Sequence, residues 1–284
     1  MKVGILGTGL MGSPMALKLQ AAGLEVLAWN RTLTKLAPLR EAGIKTTEVA
    51  AGAISACDVT ITMLSDAAAT ESAILADRAA LAGRTILQMA TIAPEESREL
   101  KRQVEAAGGA YLEAPVLGSL PEVKDGSLIV MVGATPEQFE QWMPVLKCFG
   151  PQPQLMGRVG TAAATKLAMN QLIGTMTSAF SMSLGLVKRE GLDLDKFMTL
   201  VRASALYAPH FDKKLERMCD RDFEDPNFPT KHLLKDMNLF VQAAENQSID
   251  ATVAAGVSAI AQKAISQGLA NKDYSSIYSA IDPD

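Results

Sequence analysis

The stretch KVGILGTGLMGSPMA, residues 2–16, decides the reading of this chain. A short apolar run ends at Gly7, Gly9 and Gly12 and resumes with apolar residues at helical spacing, so the glycines sit where a strand becomes a helix. In that context each glycine has a physical task. Gly7 allows a tight turn, Gly9 lets backbone approach a diphosphate, and Gly12 lets the helix pack closely on the strand. Thr8, Leu10 and Met11 complete the loop, and the helix start offers unpaired N–H groups and a favourable dipole to an anion. A turn that merely redirects the chain would use the same residues.

The next strand raises the odds in favour of a ligand. EVLAWNRTLTK, residues 25–35, ends in Asn30, Arg31 and Thr32 where an acidic side chain usually accepts hydrogen bonds from an adenosine ribose. A guanidinium there repels nothing and can grip a 2′-phosphate through paired, charge-assisted hydrogen bonds. The expected cofactor is therefore NADP(H) rather than NAD. The bland alternative for Arg31 is a solvated surface arginine.

Outward from this turn the chain reads as two halves. KVGIL, EVLAW, DVTITML, RTILQM, AYLEAPV and SLIVMVG are strands separated by helical stretches, which implies a mostly parallel sheet covered on both faces. After FGPQPQLMG, residues 149–157, the strands stop, and helices are expected at about 160–190, 193–203, 209–220, 231–247 and 250–267. The fold class is thus an α/β Rossmann-type dinucleotide-binding domain, residues 1–160, followed by an all-α domain, residues 161–284, with a long interdomain helix. A cleft between the halves is the natural place for chemistry.

Composition narrows the partners. The chain carries 27 basic and 31 acidic residues, a formal charge of −4, with no dominant basic cluster, so nucleic acid is not an expected partner and a small metabolite is. Cys57, Cys148 and Cys219 are odd in number and far apart, as in a cytoplasmic protein with free thiols. The glycine spacing after the first apolar run argues against a secretory signal. The uncharged stretch 167–187 has the length of a membrane span, but its load of Asn170, Gln171, Thr175, Thr177, Ser178, Ser181 and Ser183 suits a helix buried in protein, with no membrane partner. Gly174, Ser178 and Ser181 permit close helix approach, and one neighbour for so long a helix is a second subunit, in a homodimer or homotetramer.

Reduction of a carbonyl leaves an alkoxide that needs a proton. Two histidines, His210 and His232, give little material for a metal site, and none is expected. No tyrosine has a lysine four positions on. Lys166 is the sole charge between Val159 and Val187, and a lysine buried in such a run yields its proton more readily than an exposed one. Asn170 lies one turn on, on the same helical face. A lysine snorkelling at a helix start is the alternative.

Taken together, GTGLMGSPMA, EAPVLGSLPEVKDGSLIVMVG, GRVGTAAATKLAMNQ and FPTKHLLKDMNL resemble, in order, the cofactor fingerprint, substrate loop, catalytic helix and late cofactor segment of the β-hydroxyacid dehydrogenase family. WNRT, MLSD and FPTKHLLKDM most resemble its NADPH-dependent glyoxylate/succinic semialdehyde reductase branch. The resemblance implies reduction of a small carboxylate-bearing aldehyde or keto acid, with Lys166 as general acid and Asn170 its companion. It also implies Met63 and Leu64 along the cofactor, Thr91 near the nicotinamide ribose, Lys235 and Asp236 closing over cofactor and substrate, and Phe228 lining the pocket. The family commonly has serine before glycine in the substrate loop, whereas this chain has Leu117, Gly118 and Ser119. Leu117 cannot donate a hydrogen bond to a carboxylate, but the amides of Gly118 and Ser119 could form an anion nest and Ser119 could supply the hydroxyl. Oxidation of a 3-hydroxy acid such as 3-hydroxyisobutyrate, and a non-catalytic dinucleotide-binding regulator, are the alternatives. Imine reductases of related fold are a further rival, from which the lysine points away.

Overall fold

The computed structural model describes residues 1–283. The chain divides into two compact units, Met1–Leu167 and Ala168–Asp284.

In the first unit the strands are β1 (Lys2–Leu6), β2 (Glu25–Trp29), β3 (Lys45–Thr47), β4 (Val59–Thr62), β5 (Thr85–Gln88), β6 (Ala110–Glu113), β7 (Val116–Leu117), β8 (Ile129–Gly133) and β9 (Gln154–Gly157). They form one sheet in the order β3-β2-β1-β4-β5-β6-β8-β7, with β9 beside β8. The run from β3 to β6 is parallel, and β8 is antiparallel to β6 and β7. The intervening helices are α1 (Gly12–Ala21), α2 (Ala37–Glu41), α3 (Ala50–Ala56), α4 (Ala67–Ile74), α5 (Pro94–Ala106), α6 (Leu120–Asp125) and α7 (Pro136–Leu146).

Strand alternation assigns the two faces. Val3, Ile5, Ile61, Leu87 and Leu112 pack with Met15, Ala16 and Leu19 of α1, whereas Leu6, Ile86 and Tyr111 pack with Ile54 of α3 and Leu100 and Val104 of α5. Strands covered on both faces read as continuous apolar runs, which is why KVGIL was legible. The chain winds outward from β1 to β3 and then crosses back to β4. This switch of direction leaves a crevice at the carboxyl ends of β1 and β4, where open α/β sheets bind ligands.

Two expectations are corrected here. AYLEAPV is two strands, because Ala114 and Pro115 carry the chain from the parallel partner β5 to the antiparallel partner β8. QLMG, not named among the expected strands, is β9.

The second unit is helical: most of α8 (Thr161–Arg189), then α9 (Leu194–Ala203), α10 (Pro209–Asp220), α11 (Thr230–Glu245), α12 (Thr252–Ser266) and α13 (Ile277–Ile281). At 1.5 Å per residue α8 is about 44 Å long. Gly174 does permit close approach, since a methyl added to it would lie 3.0 Å from Met237 Sδ and 3.2 Å from Val257 Cγ1. The helix is not covered all round within this chain: Leu172, Met182 and Leu186 are each at least 50% exposed. Among the described residues no helix is long and apolar enough to cross a membrane.

Candidate active site

The three glycines differ in what surrounds them. Gly7 has φ +99°, and a side chain on it would collide with the Met63 carbonyl oxygen; a methyl on Gly12 would collide with the Gly7 carbonyl oxygen. Around Gly9 nothing lies within 4 Å of an added methyl. Two glycines are therefore required by the loop itself, and the third borders open space at the start of α1. No side chain caps α1 and no acidic residue lies in its first turn, which leaves its positive end available to phosphate. These residues fit the diphosphate of a dinucleotide.

Asn30 holds this loop in place. Its Oδ1 accepts from the Thr8 amide at 3.0 Å and its Nδ2 donates to the Thr32 carbonyl at 2.9 Å, tying the glycine turn to the end of β2. Arg31 and Thr32 are exposed beside it. Lys35 follows one 3₁₀ turn later, its amide donating to the Thr32 carbonyl at 3.1 Å, and its side chain is exposed too. At the end of β4 the Met63 amide donates to the Leu6 carbonyl at 2.8 Å, so Met63 and Leu64 flank the turn. Thr91, half-buried, follows β5.

The loop after β6 is already internally bonded. Gly118 has φ +127°, and both the amide and the hydroxyl of Ser119 donate to Glu122 Oε2, at 2.7 and 2.9 Å. Ser119 is the N-cap of α6, and Glu122 reaching back to its amide is the glutamate half of a capping box. A substrate carboxylate at the Ser119 donors has to displace Glu122. Leu117 pairs with Ile129 through β7 and β8.

Lys166 lies in α8 and is 9% exposed. Asn170, one turn on, donates from Nδ2 to Asp236 Oδ2 at 2.6 Å. Asp236 is 1% exposed, and its Oδ1 is 2.9 Å from Lys235 Nζ in an ion pair. The helical unit therefore brings Asn170, Lys235 and Asp236 together. Phe228 is half-buried, edge-on to Tyr274 at 5.5 Å and to His232 at 6.2 Å.

Comparison with known proteins joins these observations. Residues 2–160 match the family model of the NAD binding domain of 6-phosphogluconate dehydrogenase, and residues 160–281 match that for NAD-binding of NADP-dependent 3-hydroxyisobutyrate dehydrogenase. The chain is 34% identical over 285 aligned residues to glyoxylate/succinic semialdehyde reductase 1 of Arabidopsis thaliana, covering 99% of this chain and 98% of that one. It belongs to the β-hydroxyacid dehydrogenase family. A second Arabidopsis relative, glyoxylate/succinic semialdehyde reductase 2, chloroplastic, is 32% identical over 98% of this chain and 79% of its own length. In fold the chain is similar to a Mycobacterium tuberculosis 3-hydroxyisobutyrate dehydrogenase, with a TM-score of 0.91, 22% identity, and 99% and 98% of the two chains covered. The protein is an NAD(P)-dependent hydroxyacid dehydrogenase or reductase.

Two buried polar clusters of this dehydrogenase escaped the reading of its sequence. In the first unit Glu113 Oε1 accepts from the amides of Gly160, Ala162 and Ala163, at 2.8, 3.0 and 3.0 Å, while Oε2 accepts from the hydroxyl of Ser97, which bonds Tyr111 in turn. Burial pushes the Glu113 carboxyl above the ordinary carboxylate range, opposed by these donors. In the second unit His210 Nε2 is 2.8 Å from Thr177 Oγ1, and Lys214 pairs with buried Asp273 at 2.8 Å. Burial pushes His210 down to about 4, so its ring is neutral at pH 7. Nothing in the sequence signals either cluster, because the partners lie 14 to 59 positions apart. Lys35 places a second exposed cation just past Arg31.

Proposed function

We propose that this dehydrogenase reduces a small aldehyde or keto acid of the glyoxylate or succinic semialdehyde class, with NADPH as reductant. The observation that carries the reading is the buried Lys166, set one turn before an asparagine that is itself fixed by a buried aspartate. A lysine removed from water in this way is costly unless it serves a partner or a reaction. The full-length relatives named for glyoxylate and succinic semialdehyde support the substrate class.

Bound NADPH supplies hydride to the carbonyl carbon. Lys166 gives its proton to the carbonyl oxygen as negative charge develops there. Asn170, held by Asp236, orients the oxygen or the ammonium. Gly118 and the Ser119 donors take the substrate carboxylate once Glu122 yields them, and Phe228 lines the apolar side. The same groups run in reverse would oxidise a 3-hydroxy acid, a reading favoured by the description of the family model over residues 160–281. A regulator that only senses the dinucleotide has no use for a buried proton donor. In this account residues 1–160 hold the cofactor and residues 161–284 serve substrate binding and assembly. The unpaired thiols of Cys57, Cys148 and Cys219 support a cytoplasmic setting.

Preference for NADPH rests on Arg31, which is exposed and has no hydrogen bond or ion pair with other described residues. Arg31→Ala is expected to weaken NADPH binding about 10- to 100-fold, the worth of a charge-assisted pair, with NADH little changed. Fluorescence titration with both cofactors checks this, and equal losses would show that the arginine reads something other than the 2′-phosphate.

A homo-oligomer is supported by α8. Ala168, Leu172, Ala179, Met182 and Leu186 follow one another at steps of four, seven, three and four residues, all multiples of about one helical turn, along one exposed face. The double variant Leu172→Asp, Leu186→Asp is expected to be monomeric by light scattering where the native chain is a dimer or tetramer. A native chain that is itself monomeric at micromolar concentration contradicts the proposal.

A further inference from the structure

At the start of helix α8 the Thr161 amide donates locally to the Arg158 carbonyl at 3.1 Å, while the amides of Gly160, Ala162 and Ala163 find a distant partner. Gly160, at its start, has φ +100° and no side chain, and a methyl there would collide with the Arg98 guanidinium. Without that partner these three amides would be orphaned in a buried setting, which folded proteins avoid. They are instead taken by Glu113, 47 to 50 positions earlier in the chain, at the carboxyl end of β6. Room for this carboxylate is made on the neighbouring strand by Gly133, where any side chain would collide with Glu113 Oε1. Oε1 accepts all three amide bonds and Oε2 accepts from the Ser97 hydroxyl, so the serine does not compete with the cap.

Lys166 lies three and four residues beyond the two capped helical amides. Side chains on a helix lean toward its N-terminus over the i−3 and i−4 positions, here Ala163 and Ala162. The turn that Glu113 holds is thus the turn over which the lysine is laid. We infer that Glu113 is a positioning residue for Lys166, fixing through the three amides where the ammonium is presented. This rests on the reading of Lys166 as the proton donor.

The test uses the full-length protein and the single-turnover oxidation of NADPH by glyoxylate, which isolates the chemical step. Glu113→Ala removes the cap, and its rate is expected to fall roughly 10- to 100-fold, as for small displacements of a reacting group, with NADPH affinity kept within about twofold. The solvent deuterium isotope effect should rise as proton delivery becomes limiting, a change that a merely structural role would not produce. Glu113→Gln keeps an acceptor oxygen on the amides and is expected to retain the rate within about threefold. Should Glu113→Ala not fold, Gly133→Ala, whose methyl presses the carboxylate off the amides, is expected to show the same loss. A native rate in the uncapped variant, equal losses in the Ala and Gln variants, or a parallel loss of NADPH affinity each overturns the inference. Lys166→Ala separates the two claims: normal turnover there removes the proton donor itself, whereas an inactive Lys166→Ala beside a normal Glu113→Ala removes only the positioning role.

Discussion

Lys166→Ala is expected to lose turnover in glyoxylate reduction by about 10²- to 10⁴-fold, with NADPH affinity within about threefold of the native protein. The magnitude is that of a positioned general acid. With Lys166 gone, water must protonate the oxygen, while the glycine turn and Arg31, which the account makes responsible for cofactor affinity, are untouched. The side chain is 9% exposed, so truncation also leaves a small void, and a modest fall in thermal stability should accompany the kinetic loss. The two effects are separable, because a stability loss alone leaves turnover per folded molecule intact. Near-normal turnover in folded Lys166→Ala would remove the proton donor.

Gly9→Ala is expected to leave the unliganded fold as stable as the native one and to weaken NADPH and NADH alike by about 100-fold, close to 2.7 kcal/mol. Apart from the adjoining Thr8 and Leu10, nothing of the described protein lies within 4 Å of the added methyl, so a ligand is what would feel it. Gly12→Ala is the contrast. Its methyl meets the Gly7 carbonyl oxygen, a backbone atom that cannot swing aside, so stability and cofactor affinity should fall together. Calorimetry and cofactor titration on both variants distinguish a loop that turns the chain from one that holds a diphosphate. Native affinity in Gly9→Ala would mean that the space beside the loop is not used.

Both variants concern the part of the molecule that was most legible. The strand–glycine–helix passage at residues 2–16 combines an apolar run long enough to identify a doubly covered strand with glycines whose need is local. The long helices of the second unit were legible because apolar periodicity persists over many turns and Pro209 and Gly191 mark breaks. Lys45–Thr47 and Gln154–Gly157 were not recognised as strands, being three or four residues long, set at or off the edge of the sheet order, and without apolar alternation. Their strand form comes from a neighbour's hydrogen bonds rather than from their own side chains.

The site was legible by residue type and less so by bonding. Asn30 stands where an acidic side chain usually meets a ribose, and in the fold both ends of its amide bond Thr8 and Thr32. Ser119 reads as a donor for a carboxylate, yet Glu122, three residues on, already fills that role; the Ser-x-x-Glu spacing of a capping box was visible in the sequence and points to this. Glu113 had no such signal. A lone acidic residue at a strand end reads as solvated, and only the fold reveals that the start of α8 arrives beside it.

The proposed activity of this chain is hydride transfer from NADPH to a small aldehyde acid. Its most direct test is kcat/KM of the native protein for glyoxylate and succinic semialdehyde, measured with NADPH and with NADH in turn. Efficient reduction of at least one of them, at least 10-fold better with NADPH, is the expected result. Failure to oxidise either cofactor with both acids, or a preference for NADH, would contradict it.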